Sequence, residues 1–559
     1  MYDLIIRGGQ LADGSGGPIR SADVAVLGDR IAAIGRIAET ARHEIDAAGL
    51  VLSPGLIDVH THYDAQLTWD PTCAPSPALG VTTVVIGNCG FGIAPNTPSV
   101  RDALLRNLSE VEGMPLSALQ AGVDWQFESF PEYLDMLRRR GMVPNVAAFF
   151  CHSSLRGTVM GPDASRRAAT ADELAQMRRL LAEALEAGAI GFASSTFENH
   201  NGHGGLPMPS RLADDAEFDA LIGVLGERRQ GLFMATVGQR TTVDTLADWA
   251  RRTGRPMIYA ALLHNAALPE RTRNVLAGCR RAREQGLEVY AQCSCQPLSM
   301  DFTLDNAYPL YGVDPWGKLP LDDRATIARA FADPEFRDAI RRSLSAPVGG
   351  RLFNGDWTRV EIAESPRRPA DEGRTVAELA RAEGRDPVDL FFDLALSDDL
   401  RTVFNAKMLN VDEAGVAEML RHPDSLVSLS DAGAHLTFLC DAGYGLYLLG
   451  HWVRERGVLD LGAAVHALTA KPASIYGIRD RGRIVEGAYA DLMLFDPQSV
   501  GVGKARRVAD LPGGASRLDR QPLGVHGVWV NGAQVHDGTG YVANARHPGR
   551  LLTDFADRP

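Results

Sequence analysis

The feature that most constrains the fold is an alternation of short apolar runs with amphipathic helical segments through the middle of the chain. Each run is apolar enough to be buried on both faces, which is typical of parallel strands covered by helices. The candidate strands are 56–59, 82–86, 145–150, 190–193, 231–236, 257–263, 288–291 and 425–429. Eight such units predict a TIM (β/α)8 barrel.

One helix of this series is especially well marked. Thr170 and Glu173 have the spacing of a capping box, and Gly188 supplies a C-terminal stop. Leucine and methionine recur between them at helical spacing, which predicts a helix over Ala171–Ala187. We interpret that apolar stripe as core packing.

Both ends of the chain are predicted to form one small β domain. Before residue 56, valine and isoleucine alternate with polar residues in runs broken by glycine, the pattern of a half-buried antiparallel sheet. Runs at 490–495 and 525–530 have the same pattern, and the Asn531-Gly532 pair after the second is a hairpin signal. The prediction is an α/β protein in which 56–474 form the barrel, while 1–55 and 475–559 form a small β-sandwich domain.

Residues 297–390 interrupt this alternation. We predict an insertion at the barrel mouth, since long connections in compact domains are often lids. A plain structural excursion is the alternative reading.

Charge and composition narrow the class of ligand. A chain of 559 residues exceeds one ordinary core, and its formal net charge is −13. This charge argues against nucleic acid or an anionic membrane and favours a small-molecule substrate. The chain has neither a signal-like N-terminus nor an apolar run long enough to cross a bilayer, which predicts a cytoplasmic protein with reduced cysteines. Such barrels are commonly homo-oligomers, but no segment identifies an interface.

Polar residues stand where several predicted strands end. Because the C-terminal ends of barrel strands converge on one pocket, these side chains are expected to meet there. They are His60 and His62 after the first strand, Cys89 after the second, His152 after the third, His264 after the sixth and Asp431 after the last. Imidazole, thiolate and carboxylate together predict a zinc site with His60, His62, Cys89, His264 and Asp431 as ligands.

Each of these residues also has a simpler explanation. A lone His-Thr-His is equally a polar strand end, and a lone Cys89 is more often a buried apolar thiol. Asp431 alone is equally a helix N-cap, and His152 or His264 alone is more often a hydrogen-bonded core histidine. Their convergence at the strand ends favours the metal site.

The chain resembles the amidohydrolase superfamily and, within it, the N-acyl-D-amino-acid deacylases (D-aminoacylases). The resemblance covers nearly the whole chain, and its carriers lie at 54–62, 80–83 with 87–90, 152–156, 430–431 and 480–491. It implies a TIM barrel flanked by a β domain made from both termini, and one or two zinc ions. It further implies that Cys89 takes the metal-bridging place and that Asp431 is the catalytic aspartate.

The chain also departs from that family at three places. Its fifth strand, within 233–240, has no histidine where the deacylases carry a metal ligand. Ala266 stands where a lysine that holds the substrate carboxylate is expected, and 439–444 lacks the matching arginine. His200 and His203, in the loop after the fourth strand, either replace the missing ligand or contact substrate or solvent.

These residues predict hydrolysis of an amide C–N bond by metal-activated water. Asp431 would act as general base and then general acid, and Cys89 would be a metal-bound thiolate. His152, or His264 if it is not a ligand, would stabilise the oxyanion. Arg156 and His200 are the candidate substrate-binding residues, although Arg156 is also a candidate surface ion-pair partner.

Two alternatives remain open at this stage. The first is a hydrolase of a cyclic amide, a carbamoyl group or a specialised acylated metabolite, as the missing lysine and arginine would permit. The second is a metal-free barrel that acts as a binding or assembly protein, which metal content would distinguish.

Overall fold

The computed structural model describes residues 1–305, 307–310, 312–319, 323–346, 351, 353–543 and 547–556. The chain divides into two compact units. The first comprises Met1–Leu262, Arg273–Gln296 and Ala417–Pro559, and the second comprises Leu263–Thr272 and Pro297–Val416. None of the helices in the described ranges combines the length and apolar character needed to cross a membrane.

Within the described residues the strands fall into four sheets. In chain order they are β1 (Tyr2–Leu11), β2 (Arg20–Leu27), β3 (Arg30–Gly35), β4 (Ala41–Asp46), β5 (Val51–Pro54), β6 (Leu56–Asp58), β7 (Val81–Ile86), β8 (Asn145–Cys151), β9 (Gly191–Ser195), β10 (Leu232–Thr236), β11 (Met257–Leu262), β12 (Val289–Cys293), β13 (Leu298–Phe302), β14 (Val360–Glu364), β15 (Val403–Leu409), β16 (Ser425–Val427), β17 (Leu492–Phe495), β18 (Gly501–Val508), β19 (Arg517–Leu523), β20 (Val525–Val530) and β21 (Ala533–His536).

Helices connect most of the barrel strands. They are α1 (Arg101–Val111), α2 (Leu116–Gly122), α3 (Phe130–Arg140), α4 (His152–Met160), α5 (Ala171–Ala187), α6 (Asp215–Arg228), α7 (Val243–Thr253), α8 (Pro269–Glu284), α9 (Arg324–Ala332), α10 (Pro334–Ser345), α11 (Val376–Glu383), α12 (Pro387–Ser397), α13 (Glu413–Arg421), α14 (Tyr444–Tyr447), α15 (Leu461–Leu468) and α16 (Ala470–Tyr476), with a π-helical segment at Leu448–Glu455.

The barrel contains the predicted strands in the predicted sequence. Its eight strands run parallel in the order β6-β7-β8-β9-β10-β11-β12-β16. A parallel bridge between Thr61 and Ala432 joins the two ends of this sheet, and the Val59 amide donates to Ser428 Oγ at 3.0 Å. The first and last strands are thus neighbours, which brings the residues that follow them together.

The two ends of the chain share one sheet, as predicted. Its order is β21-β20-β17-β5-β1-β2-β3, with β4 paired to β1. β17 pairs antiparallel with β5, the strand directly before β6. The C-terminal segment therefore fixes the start of the first barrel strand, since Gly55 N donates to the Asp491 carbonyl at 2.9 Å.

The second unit has its own hydrophobic core. A three-stranded antiparallel sheet of order β13-β15-β14 carries helices α9 to α12, with buried aromatic rings between them. Trp316 stacks on Phe331 with ring centroids 4.9 Å apart, and Phe392 packs against both. The longer segment of this unit begins at Pro297, where the insertion was predicted to begin, and extends beyond residue 390 to Val416, and Leu263–Thr272 also belongs to the unit.

Candidate active site

His60 and His62 direct their imidazoles to the same point. They follow β6, where alternate residues lie on the same side of the chain. Cys89 Sγ lies 3.5 Å from His60 Nε2 and 3.9 Å from His62 Nε2. All three residues are buried, so the cluster is held in a low-dielectric setting.

A strained turn places Cys89 in the cluster. Cys89 follows β7 with a φ of 57°, between Gly87 and Gly90, whose φ values are also positive. A Cβ atom at Gly90 would lie 2.5 Å from the Ala193 carbonyl oxygen, so only glycine fits there. Asn88 Nδ2 donates to the Val85 carbonyl at 2.8 Å and stabilises the turn.

Asp431 completes the cluster from the last strand. Its φ is 52°, and its amide donates to the His60 carbonyl at 3.1 Å. Asp431 Oδ1 lies 3.1 Å from His60 Nε2 and 3.4 Å from His62 Nε2. The Asp431 side chain is 25% exposed, so a molecule from solvent can reach its carboxylate.

The protonation states follow from burial and from the neighbouring charges. Burial alone would lower the pKa of His60, but Cys89 and Asp431 raise it well above its usual value. Burial lowers the pKa of His62 to about 4 and raises the pKa of the Cys89 thiol. Burial alone would raise the pKa of Asp431, yet His60 and His62 hold it well below its usual range. Asp431 is therefore a carboxylate at neutral pH, the state required of a general base.

The donor set fits a divalent metal ion. One nitrogen each of His60 and His62 and the sulfur of Cys89 lie within 4.8 Å of one another. Two imidazoles, a thiol and an adjacent carboxylate are ligands that zinc favours, at the end of a barrel where enzymes of this architecture place their active sites. These four residues would hold the ion.

Comparison with known proteins identifies the family of this chain. The model of the amidohydrolase family matches residues 43–536. The chain is 30% identical to the D-aminoacylase of Alcaligenes xylosoxydans xylosoxydans, over 99% of this chain and 98% of that protein. It is 32% identical to the N-acyl-D-aspartate deacylase of the same organism, over 98% and 95% of the two chains.

A solved structure shares the same fold. The N-acyl-D-glutamate deacylase of Bordetella bronchiseptica, in complex with zinc and a phosphonate mimic of the tetrahedral intermediate, aligns with a TM-score of 0.67. The two chains are 29% identical, and the alignment covers 99% of this chain and 100% of the other. The chain belongs to the amidohydrolase family. It is a metal-dependent hydrolase of amide C–N bonds.

The structure places His152 and Arg156 in a setting that differs from the sequence-based expectation. His152 Nδ1 contacts Ser194 Oγ and its Nε2 contacts Glu217 Oε1, both at 2.8 Å. Arg156 donates to the other oxygen of Glu217. Both side chains are fully buried, and His152 has no ring nitrogen left for an oxyanion. We therefore replace the predicted oxyanion and substrate roles with a structural one, in which these residues join α4 to α6.

Three other predicted histidines lie in distinct settings. His264 belongs to the second unit, where its ring nitrogens contact Thr272 Oγ1 at 3.1 Å and Asp412 Oδ2 at 3.2 Å. His200 contacts Ser195 Oγ at 2.7 Å, and burial lowers its pKa to about 3. His203 is 54% exposed and lies 3.7 Å from Glu110, as a surface residue would. The metal role of His264 and the substrate role of His200 stay predictions.

Sequence reasoning missed three residues of the amidohydrolase site. Thr236 donates to Cys89 Sγ at 3.0 Å, from the end of the fifth barrel strand, which has no histidine. Gln292 contacts His60 Nδ1 at 2.8 Å, and Glu112 lies 3.2 Å from His62 Nδ1. Thr236 and Gln292 are polar residues near strand ends and could have been found by the rule that found Cys89. Glu112 follows a helix, and no local pattern marks it.

Proposed function

We propose that this amidohydrolase is a zinc-dependent deacylase of small N-acylated substrates, with N-acyl-D-amino acids as the leading class. The observation that carries the proposal is the position of Asp431: its Oδ1 lies against the Nε2 atoms of both His60 and His62, and its side chain is 25% exposed. The names of the relatives, a D-aminoacylase and an N-acyl-D-aspartate deacylase, support the substrate class.

The residues of the site have two proposed roles, zinc binding and proton transfer. His60, His62, Cys89 and Asp431 would hold the zinc ion, which when bound supplies the Lewis acidity that activates water and polarises the scissile carbonyl. Asp431 accepts the proton of the attacking water and then delivers it to the departing amine nitrogen. The Asp431 side chain is partly exposed, so a substrate can approach it from solvent.

A second candidate substrate class follows from the sequence around the site. Ala266 replaces the expected lysine, and 439–444 contains no arginine. A substrate carboxylate thus lacks the two cations expected in D-aminoacylases, which favours an amide without that group. A cyclic amide or a carbamoyl compound would satisfy this condition.

A paired substrate screen tests the proposal. The zinc-loaded protein would be assayed with N-acetyl-D- and N-acetyl-L-amino acids of matched side chains, and with a hydantoin and an N-alkylurea, two compounds that carry no carboxylate. We expect release of amine from the D series, with Asp431→Asn lowering kcat by about 10²- to 10⁴-fold. Turnover of the cyclic or carbamoyl compounds alone would support the second candidate. Full activity of Asp431→Asn would contradict the assigned role of the aspartate.

A further inference from the structure

Each metal-site histidine uses one nitrogen toward the cluster and the other toward a buried polar residue. The Nε2 atoms of His60 and His62 face Cys89 and Asp431. Their Nδ1 atoms face other partners, which differ in chemistry. A neutral histidine can ligate a metal through Nε2 only when its proton resides on Nδ1. The partner at Nδ1 therefore determines whether the ring adopts the tautomer that binds a metal.

Gln292 faces His60 with its side-chain oxygen, which can only accept a hydrogen bond. Its Oε1 lies 2.8 Å from His60 Nδ1, while its Nε2 donates to the Ser428 carbonyl at 2.9 Å. Rotating the amide by 180° would set its oxygen against that carbonyl, so the observed orientation is strongly preferred. Gln292 is fully buried. When His60 carries a single proton, as a metal-binding imidazole does, that proton is therefore held on Nδ1.

Glu112 stands in the corresponding position at His62. Its Oε1 lies 3.2 Å from His62 Nδ1, and the Glu112 side chain is 4% exposed. Its other oxygen lies 3.9 Å from His435 Nε2, and its backbone carbonyl accepts from the His435 amide. Glu112 thus links His62 to the segment that follows Asp431. Neither His62 Nδ1 nor Glu112 Oε1 makes a hydrogen bond in the structure. Glu112 Oε1 is therefore the acceptor available to the Nδ1 proton when His62 turns its Nε2 lone pair toward a metal.

We propose that Glu112 and Gln292 are positioning residues that orient His62 and His60 for metal binding. The inference rests on the proposed zinc site and adds the two side chains that prepare it. Neither residue is one of the four that would hold the ion. Their effect is expected in metal affinity, since replacing such partners of metal-bound histidines typically weakens binding by about 10- to 100-fold.

The test compares variants that remove the acceptor with variants that keep one. Gln292→Met and Glu112→Met preserve side-chain length but remove the acceptor oxygen. Glu112→Gln retains an acceptor, and so does Gln292→Glu when the buried acid is protonated on the oxygen that faces the Ser428 carbonyl. Gln230→Met is the matched control for the amide, because Gln230 Nε2 donates to the Leu185 carbonyl and contacts no histidine. Glu110→Met is the control for the carboxylate, two residues from Glu112 and exposed.

The readouts are zinc dissociation constants, from competition with a chromophoric chelator, and the visible absorption spectrum of the cobalt-loaded protein. We expect zinc binding about 10- to 100-fold weaker in each Met variant at 112 and 292, with a changed cobalt spectrum. The acceptor-retaining variants should recover most of the affinity, and both controls should match the wild type. Unfolding midpoints of the metal-free proteins identify any variant that does not fold. If a Met variant does not fold, the zinc affinity of the acceptor-retaining variant at the same position is compared with the wild type instead.

Two outcomes separate the inference from the proposed function. Wild-type protein that binds zinc, with both Met variants binding within about twofold of it, would overturn the positioning role. So would acceptor-retaining variants that lose as much affinity as the Met variants. Wild-type protein that binds no zinc would instead overturn the proposed function.

Discussion

His60 and His152 both contact a carboxylate, and their surroundings give the two contacts different uses. His60 Nε2 lies 3.1 Å from Asp431, whose side chain is 25% exposed. His152 Nε2 lies 2.8 Å from Glu217, whose side chain is 2% exposed. A proton can pass between Asp431 and a bound molecule, whereas Glu217 is closed off by Arg156 and the core. A histidine–carboxylate pair thus has a proposed catalytic use in one place and a structural one in the other.

Removing the Glu217 charge should destabilise the fold strongly. Glu217→Gln would leave the buried Arg156 guanidinium without its counter-ion. We expect the free energy of unfolding to fall by about 3–5 kcal/mol. Urea unfolding at neutral pH measures this loss. Glu227→Gln, which breaks a surface pair with Arg178, should cost less than about 1 kcal/mol.

The same residue sets an acid dependence of stability. Burial alone would raise the pKa of Glu217, but His152 and Arg156 lower it to about 2, from an ordinary value of 4.5. A depressed carboxyl pKa contributes stability above the unfolded pKa, and that contribution is lost as pH falls from about 4.5 toward 2. Unfolding curves across this range should therefore show a smaller slope against pH for Glu217→Gln than for the wild type. Equal slopes would contradict the assignment.

At the scale of elements, short turns after β6, β7 and β16 bring the cluster together. Gly433 illustrates how closely they approach. It has a φ of +92°, and a Cβ atom there would lie 2.7 Å from the backbone carbonyl group of His62. The His62 amide in turn donates to the Ala432 carbonyl at 2.7 Å. The segment carrying Asp431 and the histidine strand are thus fixed against each other by backbone contacts.

Gly433→Ala should therefore impair both stability and activity. The new methyl group must displace either Asp431 or His62, and we expect kcat/KM on the identified substrate to fall by at least about tenfold, because small misplacements of reacting groups are costly. Gly457→Ala is the matched control, since Gly457 also has a positive φ but no atom within 4 Å of the added Cβ. This control should lose only the stability that an alanine at positive φ costs, and should keep its activity. Equal activity of the two variants would argue against the close approach as the cause.

At the scale of the whole molecule, the sheet formed by both ends of the chain is joined directly to the strand that leads to the metal cluster. β5, which pairs with the C-terminal β17, is separated from β6 by Gly55 alone. Asp491 strengthens this junction, since it accepts from Asn145 of the barrel at 3.0 Å and pairs with Arg481. We therefore expect the terminal sheet and the segment around His60 to unfold together.

Metal removal should lower the thermal stability of the whole first unit. An ion that binds only the folded state adds about 2.7 kcal/mol at a free concentration 100 times its Kd. We expect chelation to lower Tm by a few degrees, and readdition of zinc to restore it. Differential scanning calorimetry of wild type and Cys89→Ala, with and without chelator, measures the effect. A chelator shift of equal size in Cys89→Ala would place the ion elsewhere.

Much of the fold could be predicted because its signals are local. The capping box of Thr170 and Glu173 and the stop at Gly188 define α5, and the structure confirms the predicted bounds Ala171–Ala187. The hairpin signal at Asn531-Gly532 follows β20 and precedes β21, as expected. The strands of the barrel differ from the predicted ranges only at their ends. Each of these features depends on residues that are neighbours along the chain.

The sequence by itself also brought His60, His62, Cys89 and Asp431 into one predicted pocket, because parallel strands of a barrel end on the same side. Only the tertiary structure decided which partners their remaining atoms have. Gln292 is 232 residues from His60 along the chain, and Glu217 is 61 residues from Arg156. Hydrogen bonds over such separations depend on where packing places whole elements to within about an ångström, and no local periodicity encodes that. The residue types of the site could therefore be predicted from the strand ends. The orientation of their side chains depends on tertiary packing.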